Sequence, residues 1–474
     1  MDIPDELTFK ILELAVEEHD YSDNAAWCDG AVTDCQWRLT KRTKPRTADS
    51  SEQPATDEIE TVAKFSDNRG VYQGQIKSSM VSKLAIILTC KRWYGLAIEL
   101  MYRTIVVGKK ISLALLMETL ETYSERGKSI RGIFLYHNPR FGLCDVKPDD
   151  IDGLLVRLLH LSPNLRALDF EPYEDIGVAF LQNPELLNAI QSLTALKFVS
   201  LYIAFETKVP MGVAFSKMPG LLSARLENSS SSTDKYVDAD ETSPHIYIQA
   251  LEELALSRPS IHTLNYMATW AMPNLKALEL DLGFSESVDD VNAFLRVYGG
   301  GLQILSLDAF CDSTTTVDIL SILSMCPSLT TFTFNLDWTF RVPLSPFSHP
   351  NLTRIGFNTQ GSLFVFAEPD LSNPFWNHER PLSPAAIENL SNLDRVHFPR
   401  LSTIRVLSAQ PLRQYIRQGG MSGLDSSKSA AWISLSQRCS SEGICIEDAA
   451  GNDFGKKPFG DETEDGPLKY IFSF

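Results

Sequence analysis

Beyond residue 130 one arrangement of apolar and polar positions keeps returning: Pro-x-Leu-x-x-Φ-x-Φ, where Φ is apolar. It reads Pro163-Asn164-Leu165 with Leu168 and Phe170, Pro259-Ser260-Ile261 with Leu264 and Tyr266, and Pro273-Asn274-Leu275 with Leu278 and Leu280. Pro327-Ser328-Leu329 leads to Phe332 and Phe334, Pro350-Asn351-Leu352 to Ile355 and Phe357, and Pro399-Arg400-Leu401 to Ile404 and Val406. Leu196 with Val199 and Leu201, and Leu302 with Leu305 and Leu307, keep the spacing without the proline, and Pro219-Gly220-Leu221 is a degenerate copy. Proline stops a preceding helix and biases the residue before it towards extended geometry. The closing Φ-x-Φ predicts a short strand with alternate residues buried. Between copies the apolar spacing is helical: Ile151, Leu154, Leu155, Leu158 and Leu159 before the first, and Val291, Phe294, Leu295 and Tyr298 before Leu302. The predicted unit is helix, turn, short strand. Each unit is too small to bury its own apolar face, so neighbours must stack.

The first hundred residues follow a different pattern. Ile3-Pro4-Asp5-Glu6-Leu7 predicts a helix start, with Pro4 at a position where its missing N–H costs nothing and Asp5 and Glu6 at the positive end of the helix dipole. Leu7, Ile11 and Leu14 continue an apolar stripe. A second helical patch carries Val81, Leu84, Ile87 and Leu88, then Thr89-Cys90-Lys91-Arg92-Trp93, then Leu96, Ala97 and Leu100. Met101-Tyr102-Arg103-Thr104-Ile105-Val106-Val107 reads as the first strand of the body. Between the two patches, residues 19–79 are polar and rich in Ser, Thr, Asp and Lys without a sustained apolar period, which predicts a disordered or loosely folded insertion.

The two apolar patches resemble the F-box family. The resemblance rests on Ile3-Pro4-Asp5-Glu6-Leu7 with Ile11 and Leu14, then Leu84, Leu88 and Cys90-Lys91-Arg92-Trp93, and the exit into Met-Tyr-Arg-Thr-Ile-Val-Val is similar to that of many fungal F-box proteins. It departs from the family in the 19–79 insertion, since an F-box normally runs uninterrupted. The resemblance implies a helical module that docks on a Skp-type adaptor and, through it, a cullin. The docking residues it implies are Ile3, Pro4, Leu7, Ile11, Leu14, Leu84, Leu88, Cys90 and Trp93. The body resembles a leucine-rich-repeat horseshoe of the irregular kind: Leu275, Leu302 and Leu329 are spaced by 27 residues. No regular Asn or Cys stands at the usual ladder position, the step from Ile261 to Leu275 is short, and that from Leu352 to Leu401 is long.

The expected fold is therefore α/β: an N-terminal helical F-box-like head over 1–100, then an irregular leucine-rich-repeat-like solenoid of short parallel strands alternating with helices over 101–410, then a C-terminal cap and acidic tail over 411–474. In an arc of that kind the residues between the buried Φ positions face the concave side. They are Asp169, Ser200, Glu279, Ser306, Thr333, Gly356 and Arg405, with Glu171, Asp281, Asp308, Asn335 and Asn358 just beyond. This row is acidic or polar over much of its length. It predicts a target protein with a basic or hydroxyl-rich patch, bound mainly through Asp169, Glu171, Glu279, Asp281, Ser306, Asp308 and Asn335.

Charge and composition narrow the field. The formal net charge is −17, which disfavours nucleic-acid binding through phosphate neutralisation. No stretch approaches the ~18 apolar residues of a membrane span, and the N-terminus lacks the basic and apolar regions of a secretory signal. These features predict an intracellular protein, cytoplasmic or nuclear, whose 8 scattered cysteines are buried thiols rather than disulfides. Gly127-Lys128-Ser129 fails as a phosphate loop, because Thr122 stands where the motif needs glycine. His19, Cys28 and Cys35 lack a paired zinc spacing. No metal or cofactor is expected, and no enzyme. The competing expectations are a substrate receptor of a Skp–cullin–F-box ubiquitin ligase and a repeat-based interaction scaffold outside any ligase.

Overall fold

The computed structural model describes residues 8–9, 11–12, 80–107, 110–135, 148–170, 183–203, 208–228, 246–257, 259, 261–282, 288–308, 319–335, 347–358, 384–406 and 426–448. They fall into two compact units, one running to Leu302 and the other starting at Gln303. Ile3, Pro4, Leu7, Leu14, Glu171 and the expected insertion at 19–79 lie outside the described residues. No helix among those described is long and apolar enough to cross a membrane.

The first unit opens with helical residues 8, 9, 11 and 12 and helix α1 (80–89), followed by α2 (Lys91–Arg103). Seven strands then alternate with helices: β1 (Thr104–Val107), β2 (Gly132–Leu135), β3 (Ala167–Phe170), β4 (Phe198–Ile203), β5 (Ser223–Asn228), β6 (Glu253–Ser257) and β7 (Ala277–Asp281). Every consecutive pair is parallel. In the second unit β8 (Ile304–Asp308), β9 (Thr331–Asn335), β10 (Arg354–Asn358), β11 (Thr403–Val406) and β12 (Cys445–Asp448) pair in the same sense. The α/β repeat of short parallel strands and helices is what the periodicity predicts.

The repeated phrase acts as a stacking device. Its Leu and both Φ residues are buried in copy after copy: Leu165, Leu168 and Phe170; Leu275, Leu278 and Leu280; Leu329, Phe332 and Phe334. At the start of most strands two successive N–H groups converge on one carbonyl of the preceding repeat. Arg166 and Ala167 donate to Arg131, Lys197 and Phe198 to Arg166, and Leu222 and Ser223 to Lys197. Thr330 and Thr331 repeat this on Gln303. The Asn of Pro-Asn-Leu adds a side-chain link. Asn164 Nδ2 donates to Lys128 O at 2.8 Å, Asn274 Nδ2 to Gln249 O at 2.7 Å, and Asn351 Nδ2 to Pro327 O at 2.9 Å. These asparagines stand one residue ahead of the anchoring leucine in the repeats of β3, β7 and β10, so they are separate links between a repeat and the one before it rather than a continuous ladder.

Two expectations need correction. Pro259-Ser260-Ile261 does not begin a strand: Ile261–Ala268 is a helix, whose Leu264, Met267 and nearby Trp270 are buried at helical spacing. Proline ahead of an apolar run also suits a helix start, and that reading wins here. The strand of this repeat is β6, led by buried Leu251 without a proline. Second, residues 101–103 extend α2, so β1 begins only at Thr104. Beyond 410 the described residues form a helix (Ser426–Glu442) and β12, which pairs with β11. β2, led by Ile130, also escaped the proline-based pattern.

Candidate functional site

The head is a small helical cluster with a split surface. Leu12, Ala97 and Leu100 are buried at its centre, and Phe9, Ile86, Ile87, Trp93 and Leu96 pack around them. The early helical residues and the Val81–Leu100 patch therefore meet across the intervening chain. The patch itself is broken at Cys90, whose backbone is extended. Cys90 caps α2: its Sγ accepts the Trp93 N–H at 3.5 Å, and its carbonyl accepts the Tyr94 N–H. The Arg103 guanidinium lies over the Phe9 ring, 5.6 Å from its centroid, tying the end of α2 to the early helix.

The other side of the cluster is open. Val81, Leu84 and Leu88 recur at i, i+3 and i+7, one stripe of α1. They are 69%, 47% and 74% exposed. Ile11 is 53% exposed beside buried Leu12, and Tyr94 on α2 is also exposed. Of the docking residues named from the sequence, Ile11, Leu84, Leu88 and Cys90 are exposed, and Trp93 is half-buried against the core. Val81 and Tyr94 join them; helical spacing gave Val81, whereas nothing in the pattern singled out Tyr94.

The row between the Φ positions is less open than its sequence suggests. Asp169, Glu279 and Ser306 are buried, as are Ser200, Thr333 and Arg405. Parallel strands bring neighbouring side chains of the row within reach of one another. Registers align Asp169 with Ser200, Ser200 with Arg225, Arg225 with Ala255, and Ala255 with Glu279. The short Ala255 side chain lets Arg225 Nη2 reach Glu279 Oε2, two strands away, at 3.4 Å. Asp281, half-buried at the end of β7, accepts from Ser257 Oγ at 2.8 Å. Asp308 and Asn335 are the last residues of β8 and β9. In the second unit Arg405 Nε and Nη2 both donate to Glu447 Oε2, at 2.8 and 2.5 Å.

Glu253 was missed. It begins β6 on the same face, aligned with Ser223 and Ala277, and is 6% exposed. The Ser223 hydroxyl hydrogen-bonds its carboxylate, while Oε1 has no partner among the described residues. Burial, with Glu252 and Glu279 adding their charge, pushes its carboxyl up to about 8 despite Arg225. A glutamate placed directly after another glutamate carries no sequence signal of that kind.

The chemistry elsewhere is structural. Gly127, from the failed phosphate-loop match, lies so close to Leu161 that a Cβ would meet its carbonyl oxygen at 2.2 Å. Burial pushes the Cys326 and Cys439 thiols up to about 12 and 11, which makes them poor nucleophiles. Among the described residues no group of three His, Cys, Asp or Glu side chains is placed to hold a metal ion.

No family model matches the chain, and no curated protein matches it. Among solved structures it is similar to the leucine-rich repeat-containing protein LegL7 from Legionella pneumophila, at 12% identity and a TM-score of 0.35, over 74% of this chain and 84% of that one.

Proposed function

We propose that this chain is the substrate-recognition subunit of a Skp–cullin–F-box ubiquitin ligase. The head docks the adaptor, the repeat body holds a target protein, and the chain does no covalent chemistry itself. Its contribution is to raise the target's effective concentration near the ligase's catalytic partners. The observation that carries this reading is the exposed stripe of Val81, Leu84 and Leu88, with Ile11 and Tyr94, on a helical cluster whose opposite side is already packed. Apolar side chains repeated along one helix face and left in water fit a protein partner better than solvent. The F-box resemblance of Ile3–Leu7 and Cys90–Trp93 supplies the class of partner.

Co-purification tests the proposal. The full chain expressed with a Skp-type adaptor and a cullin is expected to retain both, and Ile11→Asp with Leu88→Asp is expected to lose both. Loss of the cullin alone would favour the second reading, a repeat scaffold using the adaptor outside a ligase, whose support is the strand–helix repeat itself. Failure of the wild-type chain to retain the adaptor would remove the ligase reading.

A further inference from the structure

We infer that the face of β5–β7 between the buried leucines is a receptor for a lysine or arginine side chain of the target protein, with Glu253 as the charge that receives it. This rests on the reading of the repeat body as the target-binding surface. It moves the centre of that surface to a residue and a chemistry of its own.

Three strands contribute. Registers place Ser223, Glu253 and Ala277 in one row, Arg225, Ala255 and Glu279 in the next, and Glu227, Ser257 and Asp281 in the third. Ala255 is the shortest side chain at the centre, and it remains half-exposed, as do Ser257 and Asp281. Glu253 lies beside it with Oε1 unpartnered and nearly all its surface removed from water. An unpartnered buried carboxyl oxygen is costly unless something satisfies it. The charged groups acting on it are Glu252, the residue just before β6, Arg225 on β5 and Glu279 on β7. Arg225 is bonded to Glu279 and Lys276 to Glu252 at 3.1 Å, so these two cations are directed at other carboxylates. A cationic side chain entering over Ala255 would bring Oε1 a donor of the right charge and meet Asp281 on the way.

The match between ligand and site includes a proton. A cation beside a carboxyl favours its ionised form, so the carboxyl of Glu253 gives up its proton as the ligand arrives. Association through this site therefore releases a proton at pH 7 and strengthens as pH rises from 6 to 8. Ordinary attraction between a basic peptide and an acidic surface does neither.

The probe is hexalysine, with hexaarginine alongside it and fully Nε-acetylated hexalysine as the uncharged control. Each is titrated calorimetrically into the full-length chain in two buffers of different ionisation enthalpy. Wild type is expected to bind both cationic peptides with release of close to one proton, and to ignore the acetylated one. Glu253→Gln keeps the shape of the protonated acid; it should bind about tenfold more weakly or worse, with no proton release. Glu118→Gln, the same charge change at an exposed helix position, should behave as wild type. Unchanged affinity in Glu253→Gln, equal losses in both variants, or binding of the acetylated peptide would overturn the inference. Adaptor retention by Glu253→Gln is measured in parallel. Retention there shows the variant folded with its head intact; failure of the wild-type chain to retain the adaptor counts against the ligase reading, while the peptide result alone decides the site.

Discussion

Replacing Glu253 with Gln should make the protein's stability markedly less dependent on pH. The carboxyl moves from its ordinary 4.5 to about 8 on folding, mainly through burial. A group whose pKa is raised in the folded state contributes its stability fully below the unfolded value. That contribution is lost as pH climbs through the folded value. The window here runs from about pH 4.5 to about pH 8. Each pKa unit is worth about 1.4 kcal/mol, which puts a ceiling of about 5 kcal/mol on the whole shift. Relaxation and water penetration around a buried charge reduce this, so roughly 2–3 kcal/mol is expected between pH 5 and pH 9. Urea unfolding at a series of pH values measures it in wild type and in Glu253→Gln, so that groups common to both cancel. The two should be close in stability at pH 5, where glutamine mimics the protonated acid. By pH 9 the variant should be the more stable by the stated amount. A difference between them that stays flat from pH 5 to pH 9 would show that folding does not raise the Glu253 carboxyl.

Leu251→Ala should destabilise the first unit by about 2–5 kcal/mol, the usual cost of an alanine cavity at a fully buried leucine. A loss under about 0.5 kcal/mol in chemical denaturation, typical of a surface change, would show that Leu251 does not anchor its repeat. In the second unit, Arg405→Met removes both donors to Glu447 and leaves a mostly buried carboxylate behind. Hydrogen exchange at the β11 and β12 amides should accelerate by an amount equivalent to about 2–3 kcal/mol, and Arg405→Met with Glu447→Leu should recover most of it.

Sequence pattern revealed the repeats where a proline marked them and was ambiguous elsewhere. Pro163, Pro273, Pro327, Pro350 and Pro399 each precede a strand at the expected distance. Ile130 and Leu251 lead strands with no proline ahead, and their Leu-x-x-Φ-x-Φ spacing is too common in an apolar chain to stand out. Pro259 misled because a proline serves both a strand approach and a helix start. With Leu251 as the anchor, the apparently short step before Leu275 disappears. The links made by Asn164, Asn274 and Asn351 give no regular sequence signal, because they occur in only some repeats and precede the anchor.

The site was legible in part for a similar reason. Helical spacing identified the Val81, Leu84 and Leu88 stripe but could not say which side faced water; that depends on Phe9 and Leu12 packing against Ala97 and Leu100 from far away in sequence. Alternation along the strands picked out Asp169 and Glu279. It could not show that Arg225 reaches Glu279 across Ala255, since that contact depends on the register of three strands.

The proposed docking of an adaptor depends on the exposed apolar stripe of the head. Val81→Ser, Leu84→Ser and Leu88→Ser together leave the core cluster untouched, so the fold and the urea midpoint should hold. Burying a Val or Leu completely is worth about 1.5–3 kcal/mol, and these three begin half to three-quarters exposed, so the set should contribute about 3–5 kcal/mol to docking. Calorimetric titration with a purified Skp-type adaptor should then show affinity reduced by about 100-fold or more. A triple variant that binds the adaptor as tightly as wild type would show that the stripe is not the docking surface.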